Sequence, residues 1–144
     1  MNIEYRTQKE LPNDKLYKLF HAVGWVREDT TTQELTSQEM FDNFNIGFIN
    51  STFVFSAWCN DRLVGCVRAL SDLHFRSVMY DLAVLPEFQH RGIGTELVRR
   101  CRNACENSEW LVQTDDAKGF YEKIGFKENK DHFLTVPCKW FNSI

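Results

Sequence analysis

The chain has 144 residues, 43% of them hydrophobic and 14% aromatic, enough apolar surface to bury the core of one ordinary domain. Its net charge of -3 is mild and its lysines and arginines form no long run, which argues against a nucleic-acid partner or an anionic membrane surface. The opening MNIEYRTQKE is too polar for a secretory leader, and no apolar stretch approaches the roughly 20 residues that cross a bilayer, so one cytoplasmic domain spanning residues 1–144 is expected.

Ile3, Tyr5 and Thr7 alternate with polar neighbours and predict a short first strand. After Pro12 and Asn13, Leu16, Leu19, Phe20 and Val23 fall at helical spacing, and Gly24 is placed to stop that helix. Trp25 to Leu35 reads as a polar loop; Trp25 is open between walling an aromatic substrate pocket and plugging the core. Thr36-Ser37-Gln38-Glu39 offers a capping box for a short second helix over Met40, Phe41 and Phe44.

From Thr52 to Leu70 the runs TFVFSAWC and RLVGCVRAL flank the turn formers Asn60 and Asp61, which predicts a β-hairpin. Ser71 to Phe75 connects it to SVMYDLAVL, a strand that alternates at first and is nearly all apolar at its end, as an interior strand would be; Pro86 closes it. A helix is predicted from Thr95 to Glu106, with Leu97, Val98, Cys101, Ala104 and Cys105 on one face and Arg99, Arg100 and Arg102 on the other. WLVQT, from Trp110 to Thr114, reads as a strand, Ala117 to Ile124 as a helix stopped by Gly125, and HFLTVPCKW, from His132 to Trp140, as a last strand. The order β-α-α-β-β-β-α-β-α-β predicts an α/β (α+β) fold in which an antiparallel meander precedes a strand-loop-helix-strand crossover.

Five cysteines (Cys59, Cys66, Cys101, Cys105, Cys138) show no C-x-x-C spacing, and the four histidines are scattered, so reduced core thiols and no metal site are expected. Cys101 and Cys105 share the apolar helical face, which turns them into the core and away from a role as acyl nucleophile.

The stretch QHRGIG lies between the apolar strand and the helix. A helix start offers unpaired N–H groups and the positive end of the macrodipole, and the glycines Gly92 and Gly94 let an anion approach the backbone and open dihedrals barred to other residues. A Walker loop would need a lysine at a spacing this loop lacks, and a dinucleotide fingerprint would need glycine where Leu97 stands. An ordinary strand-to-helix turn remains open on these residues alone.

The surrounding YDLAVLPEFQHRGIGTELV places Gln89, Gly92 and Gly94 in a [QR]-x-x-G-x-[GA] pattern, and AKGFYEKIGF contains F-Y-x-x-x-G-F. On these two blocks, and on the order of elements along nearly its whole length, the chain resembles the GNAT superfamily of N-acetyltransferases. VGWVRE, LVGCVRALSD and the aspartate of YDLAV are similar to a branch holding bacterial proteins and plastid arylalkylamine (serotonin-type) N-acetyltransferases.

The resemblance implies a mixed, largely antiparallel central sheet with flanking helices and a splayed central strand pair. It implies an acyltransferase that moves the acetyl group of acetyl-CoA directly to a primary amine, without metal and without a covalent acyl-enzyme. Backbone groups of Leu82, Ala83 and Val84 would then flank the pantetheine and thioester. Backbone N–H groups of His90, Arg91, Gly92, Ile93, Gly94 and Thr95 would bind the pyrophosphate, and the side chains of Arg91, His90 and Gln89 would reach other parts of coenzyme A. Tyr121 would stand beside the sulfur as general acid, where core packing is its alternative. Asp81 is open between orienting or deprotonating the amine and merely pairing with Arg68, with a water chain as the other base. Family members often carry asparagine seven residues before the tyrosine; this chain has Thr114 there.

A small-molecule amine is the expected acceptor. Protein lysines or N-termini, and a non-catalytic acyl-CoA sensor, are the alternatives. Dimers are common among the proteins it resembles, which leaves a homodimer open.

Overall fold

The computed structural model describes residues 2–26 and 34–136. Two compact units make up the chain, Met1–Gln113 and Thr114–Ile144.

The first unit is built on five strands: β1 (Glu4–Arg6), β2 (Phe53–Cys59), β3 (Arg62–Ser71), β4 (Arg76–Val84) and β5 (Glu109–Val112). They lie in the sheet in chain order, antiparallel from β1 to β4, with β5 parallel to β4. A parallel neighbour requires a crossover, and helix α3 (Ile93–Ala104) supplies it. Helices α1 (Asn13–Ala22) and α2 (Glu34–Ile49) join β1 to β2. This is the mixed, largely antiparallel layer that the sequence predicts.

Gly24 ends α1 as predicted. At φ 85° it lets its own N–H reach the His21 carbonyl at 3.0 Å and the Trp25 N–H reach the Phe20 carbonyl at 2.9 Å. Those two bonds make a Schellman motif, and its usual apolar contact is present as Phe20 against Trp25, ring centroids 5.4 Å apart. Trp25 is thus a half-exposed partner of the helix end, not a core plug.

Three expectations differ from what is seen. Helix α2 begins at Glu34, so Thr36 lies inside it, and it runs on to Ile49 because neither the polar Asp42, Asn43 and Asn45 nor the single Gly47 breaks a helix. The predicted loop at Trp25 to Leu35 falls mostly on residues 27–33, outside the described residues. Helix α3 starts at Ile93, two positions before Thr95, and ends at Ala104, so Cys105 caps it half-buried and Ala104 is exposed, where the apolar face was expected to bury both. The expected last strand is not found over residues 132–136, and residues 137–140 lie outside the described residues. Alternation of residue types makes a strand only where a neighbouring strand supplies the ladder.

The two faces of β3 show how the helices are placed. Gly65 faces α3 so closely that a Cβ there would meet the Ala83 carbonyl oxygen and Leu97 Cδ1, each at 3.2 Å. Arg68, an odd number of residues on, points to the opposite face and lies against Gly47 of α2, whose added Cβ would sit 3.4 Å from the guanidinium carbon. The core between sheet and helices includes Leu16, Leu19, Phe48, Val64, Val67, Met79, Leu97 and Val98, all buried.

In the second unit, α4 (Lys118–Lys123) is preceded by Thr114, whose Oγ1 accepts the Ala117 N–H at 3.0 Å. Gly125, at φ 104°, ends α4 with a second Schellman motif: its N–H donates to Glu122 and that of Phe126 donates to Tyr121.

Candidate active site

Strand β4 is irregular at the residues the sequence singles out. Its register with β3 shifts between Cys66↔Ala83 and Arg68↔Tyr80, so Asp81 and Leu82 together oppose the single residue Val67. This is a β-bulge, and its first residue, Asp81, has φ 58°. A non-glycine residue in the left-handed region costs about 1 kcal/mol, with aspartate among those that tolerate it best. Asp81 is held from both sides: Arg68 Nε donates to its Oδ2 at 2.6 Å, and the Cys66 thiol donates to its carbonyl at 3.3 Å. Burial pushes the Cys66 thiol well above its ordinary value, so it stays protonated and able to donate. Of the two readings open for Asp81, pairing with Arg68 is present in the structure.

Beyond the bulge, β4 outruns its parallel neighbour. Pairing with β5 ends at Met79↔Val112, so the β5-facing edge of residues 80–84 carries ladder donors and acceptors that β5 does not take. Leu82 and Val84 are half-buried and Ala83 is buried.

The chain then turns through a short 3₁₀ segment, Pro86–Phe88, into the glycine loop. Gln89 Nε2 donates to the Val84 carbonyl at 2.9 Å and so ties the loop back onto the end of β4. His90 at φ 62° and Gly92 at φ 83° take left-handed conformations, and Gly92 is the N-cap of α3. No side chain among the described residues caps that helix, which leaves its first amides, including those of Ile93, Gly94 and Thr95, open to an anion. Apart from its chain neighbours, nothing among the described residues lies within 4 Å of the place where a Cβ on Gly92 would stand. Gly94 is helical and not among the residues with positive φ, so only one of the two loop glycines needs its conformational freedom. The Arg91 guanidinium stands 5.6 Å from the Phe88 ring centre. A long helix start with no side-chain cap among the described residues, an open approach and a strand edge that β5 leaves beyond Met79 fit the diphosphate and amide-bearing arm of coenzyme A.

The acetyltransferase (GNAT) domain family model matches residues 50–128, more than half of the chain, and spans β2, the bulge, the loop, α3 and α4. The chain belongs to the GNAT family. It is 28% identical over 138 residues to the uncharacterized N-acetyltransferase ycf52 of Pyropia yezoensis, covering 90% of this chain and 73% of that protein. It is 27% identical over 132 residues to the chloroplastic GCN5-related N-acetyltransferase 1 of Arabidopsis thaliana, covering 88% of this chain but only 61% of that protein. Among solved structures, a Staphylococcus aureus protein of unknown function, described as a probable acetyltransferase, superposes with a TM-score of 0.77 at 16% identity, over 95% of this chain and all of the other. The chain is thus an acetyltransferase of the GNAT family, and that membership implies acetyl-CoA as its acyl donor.

Within this GNAT chain, Tyr121 lies in α4 with its ring edge-on to Phe120 and Phe126, at centroid distances of 5.0 and 5.3 Å. Thr114, standing where relatives often have asparagine, is occupied in starting α4. Cys101 is fully buried and its thiol is pushed up to about 12 by desolvation, which removes the thiolate that a cysteine nucleophile needs. Cys138 lies outside the described residues. Among the described residues no helix is long and apolar enough to cross a membrane.

Sequence reasoning named Arg68 only as a rival partner for Asp81 and passed over Gly47, Cys66 and Ser51, which meet at the same place. Gly47, a lone glycine inside an apolar helical run, was the available signal of a close approach.

Proposed function

We propose that the chain is a cytoplasmic N-acetyltransferase of a single catalytic domain that transfers acetyl from acetyl-CoA directly to a small primary amine. The observation that carries this reading is the start of α3, uncapped by any side chain among the described residues, shortly after a strand that β5 no longer pairs beyond Met79. Amides of residues 90–95 hold the pyrophosphate by hydrogen bonds and helix polarity, with Arg91 as an added cation. Gln89 serves the loop through its bond to the Val84 carbonyl. Backbone groups of Leu82, Ala83 and Val84 align the pantetheine arm and thioester, and an amide near Val84 polarises the carbonyl as negative charge builds on its oxygen.

The amine nitrogen forms the new bond to the acyl carbon, and the carbon–sulfur bond breaks. Tyr121 gives its phenolic proton to the departing thiolate, a transfer suited to a phenol near 10 and a thiol near 8.5. Asp81, 35% exposed at its side chain, has Oδ2 engaged by Arg68, and Oδ1 accepts no hydrogen bond among the described residues. That second oxygen orients the incoming amine, and a water relays its proton away.

Release of free coenzyme A, followed with a thiol reagent while a panel of amines is offered, tests the reading. Release with a small primary amine is expected. Turnover with peptides alone would instead make the chain a protein acetyltransferase, and tight acetyl-CoA binding with no turnover for any acceptor would make it a sensor.

A further inference from the structure

We propose that Arg68 is a positioning residue for the acetyl-CoA strand: by gripping Asp81 it fixes the β4 bulge at one place, and the bulge is what presents Leu82, Ala83 and Val84 to the acyl carrier. This rests on the proposed reading of β4 as the strand that aligns the thioester.

A bulge needs an anchor, because one extra residue can be absorbed at more than one point along a strand. Moving it by one position turns the intervening side chains and ladder groups to the other face. Here the extra residue is confined opposite Val67, and the two residues that bracket Val67 in β3 both hold Asp81. Cys66 takes its carbonyl at 3.3 Å and Arg68 takes its carboxylate at 2.6 Å. The thiol is a weak donor, so the guanidinium is the stronger grip.

Arg68 is itself held by several neighbours. Its Nη1 donates to the buried Ser51 hydroxyl at 3.4 Å, the Tyr80 ring centre is 5.0 Å from its guanidinium carbon, and the Phe48 ring centre is 5.8 Å away. The flat group lies over Gly47 of α2, where an added Cβ would stand 3.4 Å from the guanidinium carbon. A planar fork can bond a carboxylate and a hydroxyl while its face covers a ring; a lysine ammonium on a flexible stem cannot do all three. Arg68 therefore links helix α2 to the cofactor strand.

The test compares coenzyme A dissociation constants, by calorimetry, across four variants. Arg68→Gln and Asp81→Ala should each weaken binding about tenfold, the first by removing the grip and the second by removing the gripped group. Asp81→Gly should stay within about threefold of the parent, since glycine takes the left-handed conformation without help. In Arg68→Gln/Asp81→Gly, the arginine change should then have no further effect. The role of the Asp81 carboxylate toward the amine is read separately, in kcat. Parent-like binding by Arg68→Gln would overturn the proposal, as would binding by Asp81→Gly as weak as by Asp81→Ala. If Arg68→Gln fails to fold, the glycine and alanine pair decides. If the parent takes up no coenzyme A, the proposed function fails instead; exchange of the Leu82–Val84 amides, faster in Arg68→Gln and parent-like in Asp81→Gly, still decides the bulge.

Discussion

The Phe126 amide donates to the Tyr121 carbonyl at 3.0 Å, and the two rings meet edge to face with centroids 5.3 Å apart. The F-Y-x-x-x-G-F block is therefore a Schellman helix end in which the proposed general acid occupies the position whose side chain packs on the residue after the glycine. Phenylalanine in its place keeps the ring, the backbone bond and the apolar contact, and loses only the hydroxyl. Tyr121→Phe should lower kcat by about 10²-fold or more, within the usual range for a lost general acid, and move the acetyl-CoA KM less than threefold. Steady-state kinetics with a fixed amine checks this, and an unaltered kcat would return Tyr121 to a packing role.

Gly47 and Gly65 touch opposite faces of the sheet and should respond oppositely to alanine. At Gly47 the nearest atoms to the new Cβ outside its own helix would be Arg68 side-chain atoms, at 3.4 to 3.6 Å, an ordinary contact with a side chain that can give. The gain in helix propensity should then raise stability by about 0.5–1 kcal/mol. At Gly65 the new Cβ would press at 3.2 Å on a backbone oxygen, which cannot step aside as a side chain can, and on Leu97. Overpacking of this kind should cost about 1–3 kcal/mol. Urea midpoints of the two variants, at unchanged slope, decide the signs.

Much of this was legible in the sequence because the signals are local. Gly24 and Gly125 sit at their helix ends, and Asn60 at φ 55° turns the β2–β3 hairpin, where turn chemistry alone places them. The glycine loop was legible for the same reason. Asp81 marks the limit: YDLAV reads as a regular strand, and nothing in its composition says that β4 carries an extra residue opposite Val67. Register is a relation between two strands, and so is the Arg68–Asp81 pair, thirteen residues apart. The length of α2 was missed because polar Asp42, Asn43 and Asn45 look like a helix end until tertiary contacts are known. One such contact joins Asn13, whose side chain takes the Asn45 N–H at 2.9 Å and gives a bond to the Asp42 carbonyl.

The bond from Gln89 to the Val84 carbonyl closes the phosphate loop onto the strand it follows. Gln89 is exposed, so Gln89→Ala should leave global stability within about 0.5 kcal/mol. Freed from β4, the loop would lose its preset arrangement of amides, and ordering it on binding would fall on the ligand. The acetyl-CoA KM should rise about five- to tenfold with kcat changed far less. An equal fall in kcat with unchanged KM would instead place Gln89 in the chemical step.

Glu96, in the first turn of α3, is bonded by Arg99 and Arg100, both from its own helix, and the Arg100 guanidinium also lies 4.4 Å from the Tyr5 ring centre. Chiefly through the Arg99 bond, its carboxyl is held down to about 2 from an ordinary 4.5. A depressed carboxyl pKa means that the unfolded chain binds the proton more readily, so the resulting stability is present above about 4.5 and is lost as pH falls toward about 2. The arginine partners are partly exposed, and solvent screening leaves a worth of about 1 kcal/mol, to which the helix N-terminus contributes by favouring an anion. Glu96→Gln should therefore be about 1 kcal/mol less stable than the parent at pH 7, and the difference should close as the pH is lowered through that window. Urea unfolding of both proteins at pH 7, 4 and 3 measures it. A gap that stayed constant across the window would mean that Glu96 acts through its shape and not through its charge.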